Sequence, residues 1–166
     1  AYFSRVYNFG DNELDYIEDE GWATEGDNTD YLNLKNYFQN TNFTSDANYS
    51  YIKTRLDPEN FIDYFATNIF MQNSDWPGTN IQCWRKKTTG YQTNAPYGHD
   101  GRWCWVFHDM DDTFSFGTSN FAYNNLAAAT AIGGPDWPNP EWSTLFLRRL
   151  LENNSFKIDF INRFAD

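Results

Sequence analysis

The run Asp57-Pro58-Glu59, followed by NFIDYFATNIF, constrains this chain more than any other stretch. An Asp caps a first helical turn, a Pro is tolerated at the first helical position, and a Glu favours the positive end of the helix dipole. Phe61, Ile62, Phe65, Ile69 and Phe70 then recur at helical spacing. The apolar face they form is wide, so the spacing predicts a deeply buried helix. It must stop before Trp76-Pro77, because a residue preceding Pro is pushed out of helical geometry. The stretch NSDWPGTN, Asn73 to Asn80, then leads through a rigid Trp-Pro-Gly turn into a strand-like run.

The rest of the chain supplies what must cover that helix. NIQCWRKK (80–87) and GRWCWVFH (101–108) read as two strands joined by a long polar loop. Tyr31, Leu34, Tyr37 and Phe38 place a helix at about 30–39, and QNTNFTSDANYS after it reads as a polar loop. Asn139-Pro140-Glu141 opens a further helix carrying Trp142, Leu145, Phe146 and Leu150. A last one runs from about Ser155 with Phe156, Phe160, Ile161 and Phe164. A short helical turn is expected near 124–130. Residues 1–28 read as an acidic, extended segment with turns at Gly10, Gly21 and Gly26. No internal repeat or long linker splits the chain, so one α+β domain spanning 1–166 is expected, mostly helical with a small antiparallel β-hairpin. Centring the strand pair on its loop puts Cys83 opposite Cys104. They would share a face, either as a cross-strand disulfide or as two buried thiols.

Composition excludes some functions. Seven Trp, eleven Tyr and fifteen Phe in 166 residues argue for a packed core. A net charge of −11 without a basic face disfavours nucleic-acid binding. No apolar run is long enough to form a membrane-spanning segment. Ala1 reads as a processed or excised start. Three Asn-x-Ser/Thr sequences occur, at Asn42, Asn48 and Asn153, but among 20 Asn chance supplies them easily.

Two stretches carry chemistry. Asp75 and Asn80 are spaced D-x-x-x-x-N, the spacing with which protein kinases present one Asp to the acceptor hydroxyl and one Asn to a magnesium ion. About two such spacings arise by chance in a chain this rich in Asp and Asn, and an Asx-turn closing the helix is the competing reading. Here, however, the spacing lies between a buried helix and a strand. In VFHDMDDTFSFG, Asp109 and Asp111 alternate onto one side at the rim of the core. Adjacent carboxylates repel unless a cation or proton intervenes, and oxygen-only ligands favour Mg²⁺ or Ca²⁺ over zinc. The competing reading is a solvated acidic turn. His99 and His108 lack partners at zinc spacing. The pair Arg148-Arg149 reads as a solvated or salt-bridged helix edge.

The ordered set DPENFIDYFATNIFMQNSDWPGTNIQCWR, DGRWCWVFHDMDDTFSFG and FLRRLLENNSFKIDFINRFAD resembles the spore coat protein H (CotH) kinase-like family over roughly residues 55–166. The resemblance implies the C-terminal lobe of an atypical protein kinase. Such a kinase uses ATP and Mg²⁺ or Mn²⁺ to phosphorylate protein Ser or Thr, at an extracellular, cell-surface or spore-coat location. It implies Asp75 as the catalytic-loop Asp, Asn80 as a metal ligand, Asp109 as the metal-binding Asp, and Asp111 as a second acidic position. Arg85 and Asp112 receive no role. The chain departs from the family pattern at His108, where an aromatic is common. It also lacks a Gly-rich loop and a lysine in an apolar strand, so the nucleotide-gripping N-terminal lobe is expected to be absent and the chain to be part of a larger domain. Fungal relatives act as adhesins or invasins, which implies a second reading. In it the chain is a non-catalytic surface-binding module whose Trp22, Trp76, Trp137 and Trp142 pack on a protein partner or a glycan. A third, calcium-stabilised reading uses acids 109–112.

Overall fold

The structure, a computed structural model, describes residues 2–10, 12–114, 122–132 and 139–166. Helix α4 (Pro58–Phe70) is its centre and starts as expected: the Asp57 side chain accepts from the Glu59 and Asn60 N–H groups. Beta strands β3 (Gln82–Lys86) and β4 (Cys104–Val106) follow it, and β4 packs on α4. Helices α2 (Thr29–Asn40), α6 (Leu145–Leu150) and α7 (Asn154–Ala165) close the core, with α7 lying against α4 and α6 against α2. A short helix, α5 (Asn125–Thr130), sits near the expected 124–130 and also packs on α4. The chain is α+β, with a small antiparallel sheet in the minority.

That sheet is larger than one hairpin. Strands β1 (Leu14–Glu18) and β2 (Trp22–Glu25) join it, giving the order β2-β1-β3-β4. Upstream, Tyr2–Tyr7 forms a helix, α1. The first 28 residues therefore correct the expectation of an irregular extended segment. Their local sequence is polar, but Phe3 and Tyr7 of α1 stack on Trp84 of β3 at 4.6 and 4.9 Å between ring centroids. The sheet thus has two covered faces. Ile17, Cys83 and Trp105 face α4; Leu14, Trp84 and Cys104 face the aromatic cap from the N-terminus.

Register decides the cysteines. Cys83 pairs with Trp105 and Trp84 with Cys104, one residue away from the expected alignment. A one-residue shift sends a side chain to the opposite face. Cys83 and Cys104 therefore lie on opposite faces as buried free thiols, neither bonded nor side by side.

Three more expectations need correction. Residues 46–50, read as part of a polar loop, belong to helix α3 (Asp46–Ile52), because Tyr49 and Ile52 find burial there. The helix opened by Asn139-Pro140-Glu141 begins only at Leu145: Ser143 turns back and bonds the Pro140 carbonyl through both its N–H and its hydroxyl, which competes with helix formation. Phe70 is 70 % exposed rather than on the buried face. Tyr64, Ala66 and Asn68 are buried instead, and Phe70 lines a groove of about 550 Å³ with Met71, Phe114 and Phe164. Arg149 pairs with Glu152, the salt-bridged helix edge expected of Arg148-Arg149, and the two arginines do more besides. Arg149 Nε donates to the Phe38 carbonyl at 3.0 Å and Arg148 donates to the Glu141 carbonyl at 2.8 Å, tying loop and helix ends together.

Strand β4 is a sheet edge, and α4 closes it. Asn60 accepts from Trp105 N–H at 2.6 Å and donates Nδ2 to the Trp105 carbonyl at 3.1 Å, so its amide stands in for a missing strand. Asn60→Ala leaves both groups of a buried residue unpaired. We expect a loss of about 1–3 kcal/mol in urea unfolding, with Asn60→Gln not restoring it because the longer arm misplaces both atoms.

Candidate functional site

The turn 73–80 is held against α4 from three sides. Trp76 is 1 % exposed, and its indole N–H donates to Tyr64 Oη at 3.1 Å. Tyr64 in turn donates to the Asn80 carbonyl at 3.3 Å. Asn73, also buried, donates its N–H to the Asn68 carbonyl at 3.2 Å and its Nδ2 to Asn68 Oδ1 at 3.1 Å. Two polar residues of a buried helix thus serve the turn, which explains why Tyr64 and Asn68 face inward. The periodicity of apolar residues alone could not reveal them. The Trp76-Pro77 bond is cis.

The acidic stretch 109–114 lies across this turn. Ser74 N–H donates to the Asp112 carbonyl at 3.0 Å, and Phe114 N–H donates to the Met71 carbonyl at 2.5 Å. Asn73 Nδ2 also reaches Met110 Sδ at 3.7 Å. The two stretches singled out in sequence therefore meet. Four of the six non-glycine residues with positive φ among the described residues lie in or beside them: Gln72, Asn80, Asp109 and Phe114. Left-handed backbone is costly for such residues and persists where surrounding contacts over-determine it.

Within the site, Asn80 Nδ2 donates to Asp75 Oδ2 at 2.7 Å. Asp75 Oδ1 is buried and has no hydrogen-bond partner among the described residues; Asn73 Oδ1 is in the same condition. Burial pushes the Asp75 carboxyl up from its ordinary value, and the charge of Asp112 adds to this, followed by those of Asp109 and Asp111. Asp109 is exposed, and its carboxyl is raised first by its side-chain contact with Asp111 and then by that neighbour's charge. A further acid comes from the segment read as irregular. Asp19, in the β1–β2 turn, accepts from Ile81 N–H at 3.3 Å and donates its own N–H to the Ile81 carbonyl at 2.7 Å, fixing the residue after Asn80. Its carboxyl is raised by burial. Only pairing of β1 with β3 brings it here, so no local signal could have found it.

The donor set suits a hard cation in chemistry, being all carboxylate and amide oxygen. The unpartnered Asp75 Oδ1 and the Asp109 carboxyl, raised by its contact with Asp111, are the physical marks of a place that a cation or proton would relieve. Among the described residues no three Asp, Glu, His or Cys side chains form a ready-made metal cage. Of the Trp residues named for surface stacking, Trp76 is core, Trp142 is half-buried, Trp22 is 68 % exposed, and Trp137 lies outside the described residues. No helix among the described residues is long and apolar enough to cross a membrane.

Comparison with known proteins agrees with the motifs. The family model described as CotH kinase protein matches residues 7–166. The match reaches far upstream of the 55–166 that carry the quoted motifs and takes in β1, β2 and α2. No curated protein and no solved structure gives a significant match.

Proposed function

We propose that this chain, which belongs to the CotH kinase family, carries the acceptor-hydroxyl and metal-binding half of an ATP-dependent protein kinase acting on Ser or Thr outside the cytoplasm. The observation that carries this reading is Asp75 Oδ1: an unpartnered carboxylate oxygen, on a carboxylate held by Asn80, on a turn bonded directly to the 109–114 stretch. Asp75 takes the proton of the acceptor hydroxyl as its oxygen attacks the γ-phosphorus. The bond from that phosphorus to the bridging oxygen breaks, and ADP leaves. Asn80 orients the Asp75 carboxylate through Nδ2. Asn80, Asp109 and Asp111 would hold Mg²⁺ or Mn²⁺, whose contribution is to neutralise phosphate charge. The Gly-rich loop and strand lysine that grip a nucleotide in protein kinases have no counterpart among the motifs of residues 1–166.

The non-catalytic reading has thinner support. Among the described Trp residues only Trp22 is largely exposed, and a single exposed Trp needs no functional explanation. The two readings separate in one experiment. Full-length protein incubated with γ-labelled ATP and Mg²⁺ or Mn²⁺ is expected to incorporate label into Ser or Thr, with chelator abolishing it. Asp109→Asn is expected to lose incorporation and to lose the thermal stabilisation that divalent cation gives the parent. Undiminished label in Asp109→Asn, or a Trp fluorescence response to glycans with none to ATP and Mg²⁺, would overturn the kinase reading.

A further inference from the structure

The three Asn-x-Ser/Thr sequences take no part in the site above, and the fold treats them very differently. Asn153 is fully buried at 0 % exposure. Its Oδ1 caps α7 by accepting from Ser155 and Phe156 N–H at 3.0 and 3.2 Å, and its Nδ2 donates to Asp46 Oδ1 at 3.0 Å. Asn48 has both amide atoms engaged: Nδ2 donates to the Asn42 carbonyl at 2.8 Å, and Oδ1 accepts from the Tyr37 hydroxyl at 3.3 Å. A sugar on Nδ2 has no room at the fully buried Asn153, and at the half-buried Asn48 it would crowd a nitrogen already bonded to the Asn42 carbonyl.

Asn42 is the opposite case. It is exposed, and its Oδ1 accepts from both Thr44 N–H, at 2.9 Å, and Thr44 Oγ1, at 2.8 Å. Among the described residues its Nδ2 donates to none. The intervening Phe43 is 0 % exposed, stacks on Phe38 at 4.7 Å, and lies under the Arg149 guanidinium at 5.7 Å. One buried ring therefore pins the loop while the residues on either side of it face solvent. The two Thr44 donors on Oδ1 fix the carboxamide and make its N–H protons more acidic, on a residue that is itself exposed.

We propose that Asn42 is the acceptor of an asparagine-linked oligosaccharide, and that Asn48 and Asn153 are not. The donor class is a lipid-pyrophosphate-linked oligosaccharide acting with a transferase. The bond from the anomeric carbon to the pyrophosphate oxygen breaks, and the bond from that carbon to Asn42 Nδ2 forms. One Nδ2 proton passes to a base of the transferase, and the lipid pyrophosphate leaves. A bulky hydrated glycan is tolerated only at a surface position, which the folded chain provides at Asn42. The inference rests on the extracellular part of the proposed function and is independent of its phosphate-transfer chemistry.

The test is peptide mass spectrometry of the natural secreted protein, and of the same chain routed through a eukaryotic secretory pathway, before and after peptide N-glycosidase. The expected result is a glycan on Asn42, with Asp left at that position after release, and unmodified Asn48 and Asn153. Asn42→Gln and Thr44→Ala should each abolish the mass shift, whereas Thr44→Ser, which keeps the hydroxyl, should retain it. An unmodified Asn42 in folded secreted protein, or a glycan on Asn48 or Asn153, overturns the proposal. Phosphate incorporation measured on Asn42→Gln should equal that of the parent, so failure here and failure of the kinase reading are read separately.

Discussion

Asp75→Asn is expected to lower phosphate transfer by the full-length protein about 10²–10⁴-fold, the usual contribution of a positioned proton acceptor. The substitution keeps size and can keep the contact with Asn80, but it removes the group that takes the hydroxyl proton. Binding of ATP and metal should change far less than turnover, because the loss is confined to the transition state. A fall in KM-dependent binding with unchanged turnover would instead make Asp75 a mere turn residue. The pH dependence carries the same signature. A base works only when ionised, and Asp75 is raised by burial and by Asp112. Activity should therefore rise with pH through the raised value, and the rising limb should shift to lower pH in Asp112→Asn, where one of the raising charges is gone. Stability has the opposite sign. A carboxyl raised in the folded state stabilises fully below its ordinary value of 3.8 and loses that contribution as pH rises through the folded value. Thermal stabilisation by Mg²⁺ should consequently be larger at neutral pH, where the acids repel, than below that value.

The largest loss of stability is expected far from this chemistry, at Asp15. Its side chain is 0 % exposed on the inner face of β1. Oδ2 accepts from Arg85 Nε and pairs with Arg85 Nη2 at 3.0 and 2.9 Å, while Oδ1 accepts from Asp27 N–H at 3.0 Å and lies 3.3 Å from Lys87 Nζ. Arg85 also pairs with Asp30 at 3.2 Å, and Asp30 with Arg55 at 2.5 Å and with Trp103 Nε1 at 2.9 Å. Removing one member of such a buried network leaves an uncompensated charge, which typically costs about 3–5 kcal/mol. Asp15→Ala should therefore unfold at much lower urea concentration. Arg85→Ala alone should be as damaging, and the double replacement should cost clearly less than the sum, as expected for partners in one network. Additive losses would show that packing rather than charge pairing is what Asp15 supplies.

Asp15 also marks where reading the sequence stopped working. Nothing in FGDNELDYIEDEG distinguishes Asp15 from its solvated neighbours, and the whole segment reads as irregular. The distinction arises only when β1 pairs with β3 and places Asp15 opposite Arg85. Asp19 reaches the site by the same pairing. The cysteines make the point in reverse: each strand was legible, but register is a property of the pair, and one residue of slip separated the thiols.

From sequence alone came the capped start of α4, the turn it must end in, the α+β class and the pairing of two acidic motifs within one family. The helix start, the turn and the fold class rest on local physics: the fixed φ of Pro, the cap made by Asp57, and a side-chain periodicity that does not depend on distant partners; the pairing of the motifs rests on the family resemblance. The four-stranded sheet, the inward-facing Tyr64 and Asn68, the buried ion network and the unpartnered oxygen of Asp75 were decided only by the tertiary structure. Each requires groups far apart in the chain to be desolvated together, and the cost or gain of that desolvation is set by the neighbour, not by the residue.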